Sequence, residues 1–319
     1  MQNASISVII PVKNEASKIR ACIEGILSQS IAVEEIIVLD SGSTDGTLDI
    51  LKEYEKVKIL HINPNEFNHG ETRNVGVRHA RGTFLLLTVG DARPYDEDWI
   101  KKMLEGFSSE DVMAVCGKQV VPHETDKNPA EWYRPVSKSG IRTFKFTREE
   151  FAALSPAELK SACGWDDVTA LYKATALKEI PFQVTSYSED AIWAKDALSK
   201  GYTIAYNPEA MVYHYHLENK DFTFKRTLTT LYFRYRHFGF IPPKPAMGFI
   251  DLLRLIKVVW ISGPMTNREK VKWVKYNLDM HNAAKAAYRL FTDALAISED
   301  NLTKVHTEYC GKPPIPVKK

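Results

Sequence analysis

The sequence predicts an α/β fold: a mostly parallel, doubly wound sheet flanked by helices, followed by a helical C-terminal region. Two runs, 5–12 and 35–40, are almost continuously aliphatic, which is typical of strands covered on both faces of a parallel sheet. A segment of helical character follows each run. This alternation predicts parallel strands joined by right-handed crossovers.

The first elements of this sheet are separated by short connections. In chain order they are strand 5–12, helix 15–28, strand 35–40, helix 46–55, strand 57–62, helix 70–80 and strand 83–88. Ile19, Ile23, Ile26 and Leu27 fall on one face of the first helix, which favours packing against the sheet. Ser43 or Thr44 is available as a cap for the second helix.

The pattern loosens in the middle of the chain. Proline, lysine and glutamate accumulate over 123–160, which predicts a loop-and-helix insertion over the site. The later predicted elements are strand 168–172, helix 188–200 (ended by Gly201), and strands 203–206 and 210–214. Since the chain is predicted to be helical beyond about 220, the predicted domains are 1–220 and 221–319.

Charge is distributed unevenly along the 319 residues. The net charge is +2, but residues 217–290 hold 14 Lys/Arg against 5 Asp/Glu, which leaves −7 for the remainder. A basic C-terminal third predicts an acidic partner, either a phosphate-bearing lipid, a membrane surface or a nucleic acid. Nucleic acid is not expected, because no binding motif accompanies the basic residues.

Cysteine usage and hydropathy predict a cytoplasmic protein. The four cysteines are scattered without a CxxC pair, so no disulfide framework is expected, in keeping with a reducing compartment. The apolar run at residues 8–12 is too short for a signal peptide. The longest apolar stretch, 249–263, falls short of a membrane span and contains Asp251, Arg254 and Lys257.

Polar residues cluster where the predicted strands end. The clusters are 13–15 (Lys-Asn-Glu), 40–43 (Asp-Ser-Gly-Ser) and 90–91 (Gly-Asp). Any one of them could be an ordinary turn. Because ligands of doubly wound sheets bind outside the carboxyl ends of the strands, three such clusters in succession favour a binding site.

Two of these segments resemble a known family. Residues 7–15 (Ser-Val-Ile-Ile-Pro-Val-Lys-Asn-Glu) and 38–47 (Val-Leu-Asp-Ser-Gly-Ser-Thr-Asp-Gly-Thr) resemble the opening of the family 2 glycosyltransferases, which adopt the GT-A fold. Residues 67–74 and 90–94 resemble the bacterial rhamnosyltransferase branch of that family. The resemblance covers about residues 5–216.

The resemblance implies an inverting glycosyltransferase of surface polysaccharide synthesis. The expected reaction moves a sugar, L-rhamnose from dTDP-rhamnose, to a hydroxyl of a glycan or lipid-linked acceptor. Two alternatives stay open: a UDP-sugar donor, and a catalytically idle homologue that serves as a binding scaffold. A dinucleotide-dependent oxidoreductase is disfavoured, because the first strand lacks Gly-x-Gly-x-x-Gly.

The resemblance also implies a donor site. Asp40 would accept a hydrogen bond from the imide N–H of a uracil or thymine ring, and Arg73 would donate to a base carbonyl or bind a phosphate. The full donor-binding set is Pro11, Val12, Asn14, Glu15, Asp40, Ser43, Gly70, Arg73, Gly90 and Asp91. A turn or capping role is the alternative for Asp40, and a solvated helix charge is the alternative for Arg73.

A divalent cation is expected because a diphosphate leaving group needs charge neutralisation. The family's Asp-X-Asp motif falls at 89–91, where only its second acid, Asp91, is present. His214 and His216 alternate on one strand face, and the hypothesis is that Asp91 and His214 share Mg²⁺ or Mn²⁺. His214 is favoured as the ligand over His216, which is expected either to support the ligands from behind or to contact the acceptor, and the choice between the two histidines stays open. The alternative is a pair of structural histidines.

Ser188-Glu189-Asp190 resembles the family's Glu-Asp element at the start of a helix. Asp190 is the expected general base for the acceptor hydroxyl, and Glu189 is expected to orient its neighbours on the acceptor side. Trp165 and Asp166 are the other expected acceptor contacts. The alternatives are that both acids only complement the helix dipole and that Trp165 is a core residue.

Aromatic and basic residues alternate in the C-terminal region. Residues 232–238 read Tyr-Phe-Arg-Tyr-Arg-His-Phe, which suits a membrane interface. A predicted apolar stripe is formed by Leu252, Leu253, Leu255, Ile256 and Val259. The hypothesis is peripheral contact with the cytoplasmic face of an inner membrane. A helical annex packed on the main domain or a dimer interface is the alternative, and the sequence leaves the oligomeric state open.

Overall fold

The computed structural model describes residues 4–133, 138–263 and 265–311. These residues form two compact units. The first unit contains residues 4–120 and 138–214, and the second contains 121–133, 215–263 and 265–311. The first unit ends at His214, whereas the predicted domain boundary between residues 220 and 221 stays a prediction.

A nine-stranded mixed sheet forms the centre of the first unit. Its strands, in chain order, are β1 (Ile6–Val12), β2 (Glu35–Asp40), β3 (Val57–His61), β4 (Phe84–Leu87), β5 (Arg93–Pro94), β6 (Val112–Val120), β7 (Arg142–Phe144), β8 (Ala170–Lys173) and β9 (Thr203–Tyr213). Their spatial order is β3-β2-β1-β4-β8-β6-β9-β5, and β7 pairs with β9.

One half of the sheet is parallel, as the aliphatic runs predict. β1 pairs in parallel with both β2 and β4, so Val8 lies between Ile36 and Leu86. All six residues of β2 are buried, because both faces of this half are covered. The order of these strands brings the ends of β1, β2 and β4 to one edge of the sheet.

The other half of the sheet is antiparallel in part. β8 lies between β4 and β6 and is antiparallel to both. β9 is one continuous strand, so the prediction of two strands, 203–206 and 210–214, is wrong. A β-bulge between Cys116 and Lys118 adjusts the pairing of β6 with β9 at this point, which lets one strand run through the whole segment.

Eight helices of the first unit accompany the strands. They are α1 (Ile19–Leu27), α2 (Thr47–Leu51), α3 (His69–His79), α4 (Trp99–Glu105), α5 (Arg148–Ala152), α6 (Pro156–Ala162), α7 (Ala174–Glu179) and α8 (Glu189–Ser199). α1 begins four residues later than predicted, because Asn14 is left-handed (φ 59°) and a turn follows it. α2 is preceded by Gly46 and has no side-chain cap, so the expected Ser or Thr cap is wrong.

The predicted insertion over 123–160 is divided between the two units. Residues 134–137 lie outside the described part of the chain. Within it, α5 and α6 confirm helices, and each begins with a capping box, at Thr147 and Ser155. The short strand β7 in this segment was not expected.

The second unit is helical, as predicted beyond residue 220. Its helices are α9 (Lys220–Phe238), α10 (Phe249–Ile261), α11 (Asn267–Ile297) and α12 (Glu299–Cys310). One core joins α9, α11 and α12 through Leu228, Phe291 and Leu302. A second core joins α10 and α11 through Val259 and Trp273. In the described chain, none of the helices is both long enough and apolar enough to span a bilayer.

Candidate active site

The loop after β1 is tied to the loop after β2 by side-chain hydrogen bonds. The Asn14 backbone N–H donates to Ser43 Oγ (2.9 Å), and Asn14 Oδ1 accepts from the Thr44 N–H (2.8 Å). The Glu15 N–H donates to Thr47 Oγ1 (2.8 Å). The left-handed backbone of Asn14 makes this turn, and asparagine tolerates it better than most residues. The two loops are therefore joined next to Pro11 and Val12, and the donor role of these residues stays a prediction.

Asp40 ends β2 with a carboxylate that is 2% exposed. Its Oδ1 accepts from the Ser43 N–H (3.0 Å), and its Oδ2 accepts from the Gly42 N–H (3.1 Å). The turn role, left open by the sequence, is thus present. Each carboxylate oxygen has a second lone pair, so a base N–H can still bind and the donor role of Asp40 stays a prediction.

Two of the predicted glycines make close contacts within the protein. A Cβ on Gly70 would lie 2.4 Å from the Gln183 carbonyl oxygen, and one on Gly90 would lie 3.0 Å from Val12 Cγ1. The space next to Gly70 is therefore filled by the protein's own backbone, and the donor role of Gly70 stays a prediction. Gly90 is needed so that the β4 end can pack against the β1 end and present the next residue, Asp91.

Asp91 and His214 face each other at the carboxyl edge. Asp91 Oδ1 is 3.4 Å from His214 Nε2, and Asp91 Oδ2 is 3.1 Å from Lys18 Nζ. The ligand atoms of Asp91, His214 and His216, two residues further along the chain, all lie within 4.8 Å of one another. One carboxylate and two imidazoles at this spacing are a donor set that Mn²⁺ or Mg²⁺ can use.

Glu15 adds a second carboxylate next to this group. Burial raises the pKa of Glu15 to about 7, and the negative charge of Asp91 adds to the rise. The charge of Lys18 works in the opposite direction. The part of the rise that comes from Asp91 is a repulsion between two neighbouring carboxylates, which a divalent cation would relieve.

Gln119 connects His214 to Asp166. The Gln119 side-chain oxygen is 2.6 Å from His214 Nδ1, and its amide Nε2 donates to Asp166 Oδ2. The other oxygen of Asp166 accepts from the Val168 N–H (2.9 Å). Asp166, expected as an acceptor contact, thus lies behind the histidine and is half-buried.

Asp190 belongs to a cluster of acids around one arginine. Arg73 pairs with Glu189 through Nη1 and with Asp167 through Nε (3.4 Å), and these three side chains are 9% exposed or less. Burial raises the pKa of Asp190 well above its ordinary value, and the charges of Glu189 and Asp167 add to the rise. The alternative of a solvated helix charge for Arg73 is excluded by this burial, while its donor role stays a prediction. A carboxyl with a raised pKa is a stronger base once ionised.

Arg73 lowers the pKa of both Glu189 and Asp167, but with different net results. Burial works to raise the pKa of Glu189, but the charge of Arg73, with that of His69, outweighs it and lowers this pKa. Burial raises the pKa of Asp167 to about 7 although Arg73 lowers it, and Tyr172 OH donates to Asp167. The cluster therefore holds Glu189 as the ionised partner of Arg73.

Trp165 is in the core of the first unit. Its side chain is 8% exposed, its Nε1 donates to Tyr172 OH (2.6 Å), and its ring contacts those of Tyr172 and Trp193. Of the two interpretations the sequence allowed, the packed one is present here. A stacking role on an acceptor sugar stays a prediction.

Sequence reasoning missed Lys18 and Gln119. Lys18 immediately precedes α1, and its contact with Asp91 joins residues 73 positions apart. Gln119 lies near the carboxyl end of β6. The apolar run 112–116 (Val-Met-Ala-Val-Cys) was a strand signal that could have placed Gln119 at the same edge as the other polar clusters.

Comparison with known proteins agrees with this geometry. Residues 7–157 match the family described as Glycosyl transferase family 2. The O-antigen chain rhamnosyltransferase RfbN of Salmonella typhimurium is 30% identical over 241 residues, covering 70% of this chain and 71% of the relative. The O-antigen chain rhamnosyltransferase WbaN of Salmonella anatum is 29% identical over 230 residues, covering 71% of each.

Solved structures share the fold at low identity. The mannosyltransferase PcManGT from Pyrobaculum calidifontis, in complex with GDP-Man and Mn²⁺, has a TM-score of 0.54 at 18% identity and covers 96% of this chain and 85% of its own. Staphylococcus aureus TarS 1–349 with UDP-GlcNAc has a TM-score of 0.51 at 18% identity and covers 97% of this chain and 92% of its own.

The mixed sheet flanked by helices, which these solved structures share, is the GT-A fold. The chain belongs to glycosyl transferase family 2 and is similar to its O-antigen rhamnosyltransferases. The predictions of family, fold class and enzyme class are confirmed.

Proposed function

We propose that the protein transfers L-rhamnose from dTDP-rhamnose to a hydroxyl of a glycan or lipid-linked acceptor in bacterial surface polysaccharide synthesis. The observation that carries this proposal is the similarity to two O-antigen chain rhamnosyltransferases over about 70% of the chain. The motif segments 67–74 and 90–94, on which the resemblance to that branch rests, lie at α3 and at the β4 end of the site.

The donor nucleotide would bind along the edge made by the β1 and β2 loops. There Asp40 would accept the imide N–H of thymine, and the expected framing residues, Asn14 and Ser43, are already held by hydrogen bonds. A rigid edge lowers the entropy lost on binding. Arg73, paired with two carboxylates, would act mainly by setting the charge of the acid cluster rather than by contacting the donor.

Asp190 is the proposed general base. It would accept the proton of the acceptor hydroxyl while the hydroxyl oxygen bonds to the anomeric carbon and the bond to the diphosphate breaks. The configuration is inverted because this is one displacement. Its raised pKa suits proton uptake from a hydroxyl, and the half-buried position of Asp190 leaves access for an acceptor.

Asp91 and His214 would hold a divalent cation, Mg²⁺ or Mn²⁺, with His216 as a further contact. When bound, such an ion neutralises the charge that develops on the diphosphate leaving group. Lys18, at 3.1 Å from Asp91, supplies a further positive charge at this carboxylate. In this proposal His214 takes the place of the first acid of the Asp-X-Asp motif, which this sequence lacks.

We further propose that residues 1–220 form the transferase domain and 221–319 a separate domain that contacts a membrane. The cytoplasmic face of an inner membrane is the proposed location, because the four cysteines are buried free thiols in keeping with a reducing compartment. A lipid-linked acceptor would be presented at that surface.

A donor screen tests the proposal. Release of nucleotide from dTDP-rhamnose, dTDP-glucose, UDP-glucose and UDP-GlcNAc would be measured with Mn²⁺ or Mg²⁺, using Asp190→Asn as the inactive control. Fastest turnover of dTDP-rhamnose is expected. Preference for a UDP-sugar would assign the alternative donor. Binding without turnover of any of them would favour the idle scaffold.

A further inference from the structure

Helix α10 exposes a row of large apolar side chains. Phe249, Ile250, Leu253, Trp260 and Ile261 are between 44% and 74% exposed. On a helix these positions cover one continuous side, with Phe249, Leu253 and Trp260 nearly in line. We call these five residues the α10 outer face. A patch with two aromatic rings and three aliphatic residues is unusual on a surface that faces only water.

The opposite side of α10 packs against a core of the second unit. Val259 is fully buried beside Trp132, Met265 and Trp273, and Leu255 packs against the same core. Two residues of the predicted apolar stripe, Val259 and Leu255, therefore face this core, as the alternative of a packed helical annex predicts. The outer face has no part in that core, so substitutions there should leave the fold intact.

Basic residues accompany the outer face. Across 241–263 the charged residues are Lys244, Asp251, Arg254 and Lys257, a net charge of +2. Arg254 and Lys257 lie on the exposed part of α10. Apolar and aromatic side chains mixed with cationic ones are what an amphipathic helix needs to bind an anionic bilayer in its interfacial plane.

We propose that the α10 outer face docks on an anionic lipid bilayer, with Trp260 and Phe249 at headgroup depth and Arg254 and Lys257 against lipid phosphates. This inference rests on the proposed function, because it names the element that would make the proposed membrane contact. Charge complementarity selects a bilayer over a second copy of the chain, because two such faces would bring like charges together.

Vesicle flotation tests this assignment. The full chain would be mixed with vesicles of phosphatidylcholine alone or with 30% phosphatidylglycerol. The test variant is Leu253→Glu/Trp260→Glu. The matched control is Val271→Glu/Ile297→Glu, which places the same two negative charges at exposed apolar positions of α11. Melting curves and dTDP-rhamnose turnover in solution establish that each variant is folded and active.

The wild type and the α11 control are expected to float only with the anionic vesicles, and the α10 double variant, Leu253→Glu/Trp260→Glu, is expected to lose at least tenfold in apparent affinity. Equal flotation of the α10 double variant, or no flotation of the wild type, overturns the docking surface. So does a lipid-free dimer that the α10 double variant abolishes, since that would assign the face to a second copy. Turnover is scored separately, so failure of the transferase proposal would not be mistaken for failure of docking.

A second inference concerns Gln119, which stands between Asp166 and His214. Both oxygens of Asp166 act as acceptors, one from the Val168 N–H and one from Gln119 Nε2. The amide of Gln119 must therefore turn its nitrogen to Asp166 and its oxygen to His214 Nδ1, 2.6 Å away. An amide oxygen can only accept, so the proton of the neutral ring lies on Nδ1.

We infer that Gln119 is a positioning residue that keeps the Nε2 lone pair of His214 directed at Asp91. In the neutral ring that lone pair is 3.4 Å from Asp91 Oδ1, so a histidine nitrogen and a carboxylate oxygen lie close enough to share one cation. Fixing the tautomer prepares the histidine to bind it. The inference rests on the proposed metal site, but the tautomer can be measured without any metal.

Two readouts test the role of Gln119. Long-range ¹H–¹⁵N spectra of the metal-free protein would report which nitrogen of the neutral His214 ring carries the proton, and His214→Ala would assign the signal. Titration with Mn²⁺ alone, followed by electron paramagnetic resonance, would report metal affinity. The test variant is Gln119→Met, and the control is Gln183→Met, whose exposed amide donates to Asp196.

The wild type is expected to show the Nδ1–H tautomer, and Gln119→Met is expected to show a tautomer mixture and to bind Mn²⁺ about 10- to 100-fold more weakly. Gln183→Met should match the wild type. An Nε2–H tautomer in the wild type, or an unchanged tautomer in Gln119→Met, overturns the inference. If the wild type bound no Mn²⁺, the metal proposal would fail while the tautomer would still decide the role of Gln119.

Discussion

Replacing Arg73 with methionine removes the cation that two buried acids share. Arg73, Asp167 and Glu189 are each 9% exposed or less, so water cannot take over the lost interaction. Breaking a buried ion pair from one side typically costs about 3–5 kcal/mol. We expect Arg73→Met to lower the free energy of unfolding by that amount at pH 8. At roughly 2–4 °C per kcal/mol for a unit of this size, the melting temperature should fall by about 6–20 °C.

The loss should shrink on acidification. Burial alone raises the pKa of both acids, and Arg73 opposes that rise. In the variant the pKa values of Asp167 and Glu189 therefore move up. At a pH above these values the folded state holds two ionised acids without their cation and is destabilised. This destabilisation disappears as the pH falls and both acids become neutral. Urea unfolding at pH 5 and pH 8 would measure this difference.

A matched control lies on the same helix. Arg78 pairs with Glu71 at 2.8 Å, but the two side chains are 58% and 44% exposed. Arg78→Met should therefore cost no more than about 0.5–1 kcal/mol at either pH. Arg73→Met within 1 kcal/mol of the wild type at pH 8, or a loss that grows at pH 5, would refute the reasoning.

Three further predictions concern the acid cluster and the packing around it. Asp190→Asn should lower kcat by about 10²- to 10⁴-fold while dTDP binding persists in calorimetry; unchanged turnover would exclude Asp190 as the base. The acid limb of the wild-type kcat profile should lie above the ordinary aspartate range, because burial and Glu189 raise the pKa of Asp190; a limb near pH 4 would argue against it. Gly70→Ala should destabilise by about 1–3 kcal/mol in urea, since its Cβ would lie 2.4 Å from the Gln183 carbonyl oxygen, whereas Gly248→Ala, with its closest contact at 3.6 Å, should stay within about 0.5 kcal/mol.

The parallel half of the sheet could be predicted because its signal is local. β1 and β2 are aliphatic throughout, and polar residues follow each of them, so strand identity and the edge that carries the site could be predicted together. The position of β8 in the sheet could not be predicted. It lies between β4 and β6 and so joins segments about 55 to 85 residues apart in sequence, and no periodicity specifies such a partner.

The same limit applies to the site. Asp91 and His214 could be proposed as partners from residue type and the family resemblance, and the structure places them 3.4 Å apart. The burial of Arg73 could not be foreseen, because its partner Glu189 is 116 residues away and a helical arginine is ordinarily solvated. Trp165 carried no signal that distinguishes core from binding surface.

Release of dTDP from dTDP-rhamnose, with Mn²⁺ present and after exhaustive chelation, tests the central claim most directly. We expect turnover with Mn²⁺, loss of nearly all of it on chelation, and recovery when Mn²⁺ is restored. Asp91→Asn should show little turnover in either condition. A full rate in the chelated wild type would contradict a cation held by Asp91 and His214, and no turnover of dTDP-rhamnose in any condition would contradict the proposed donor.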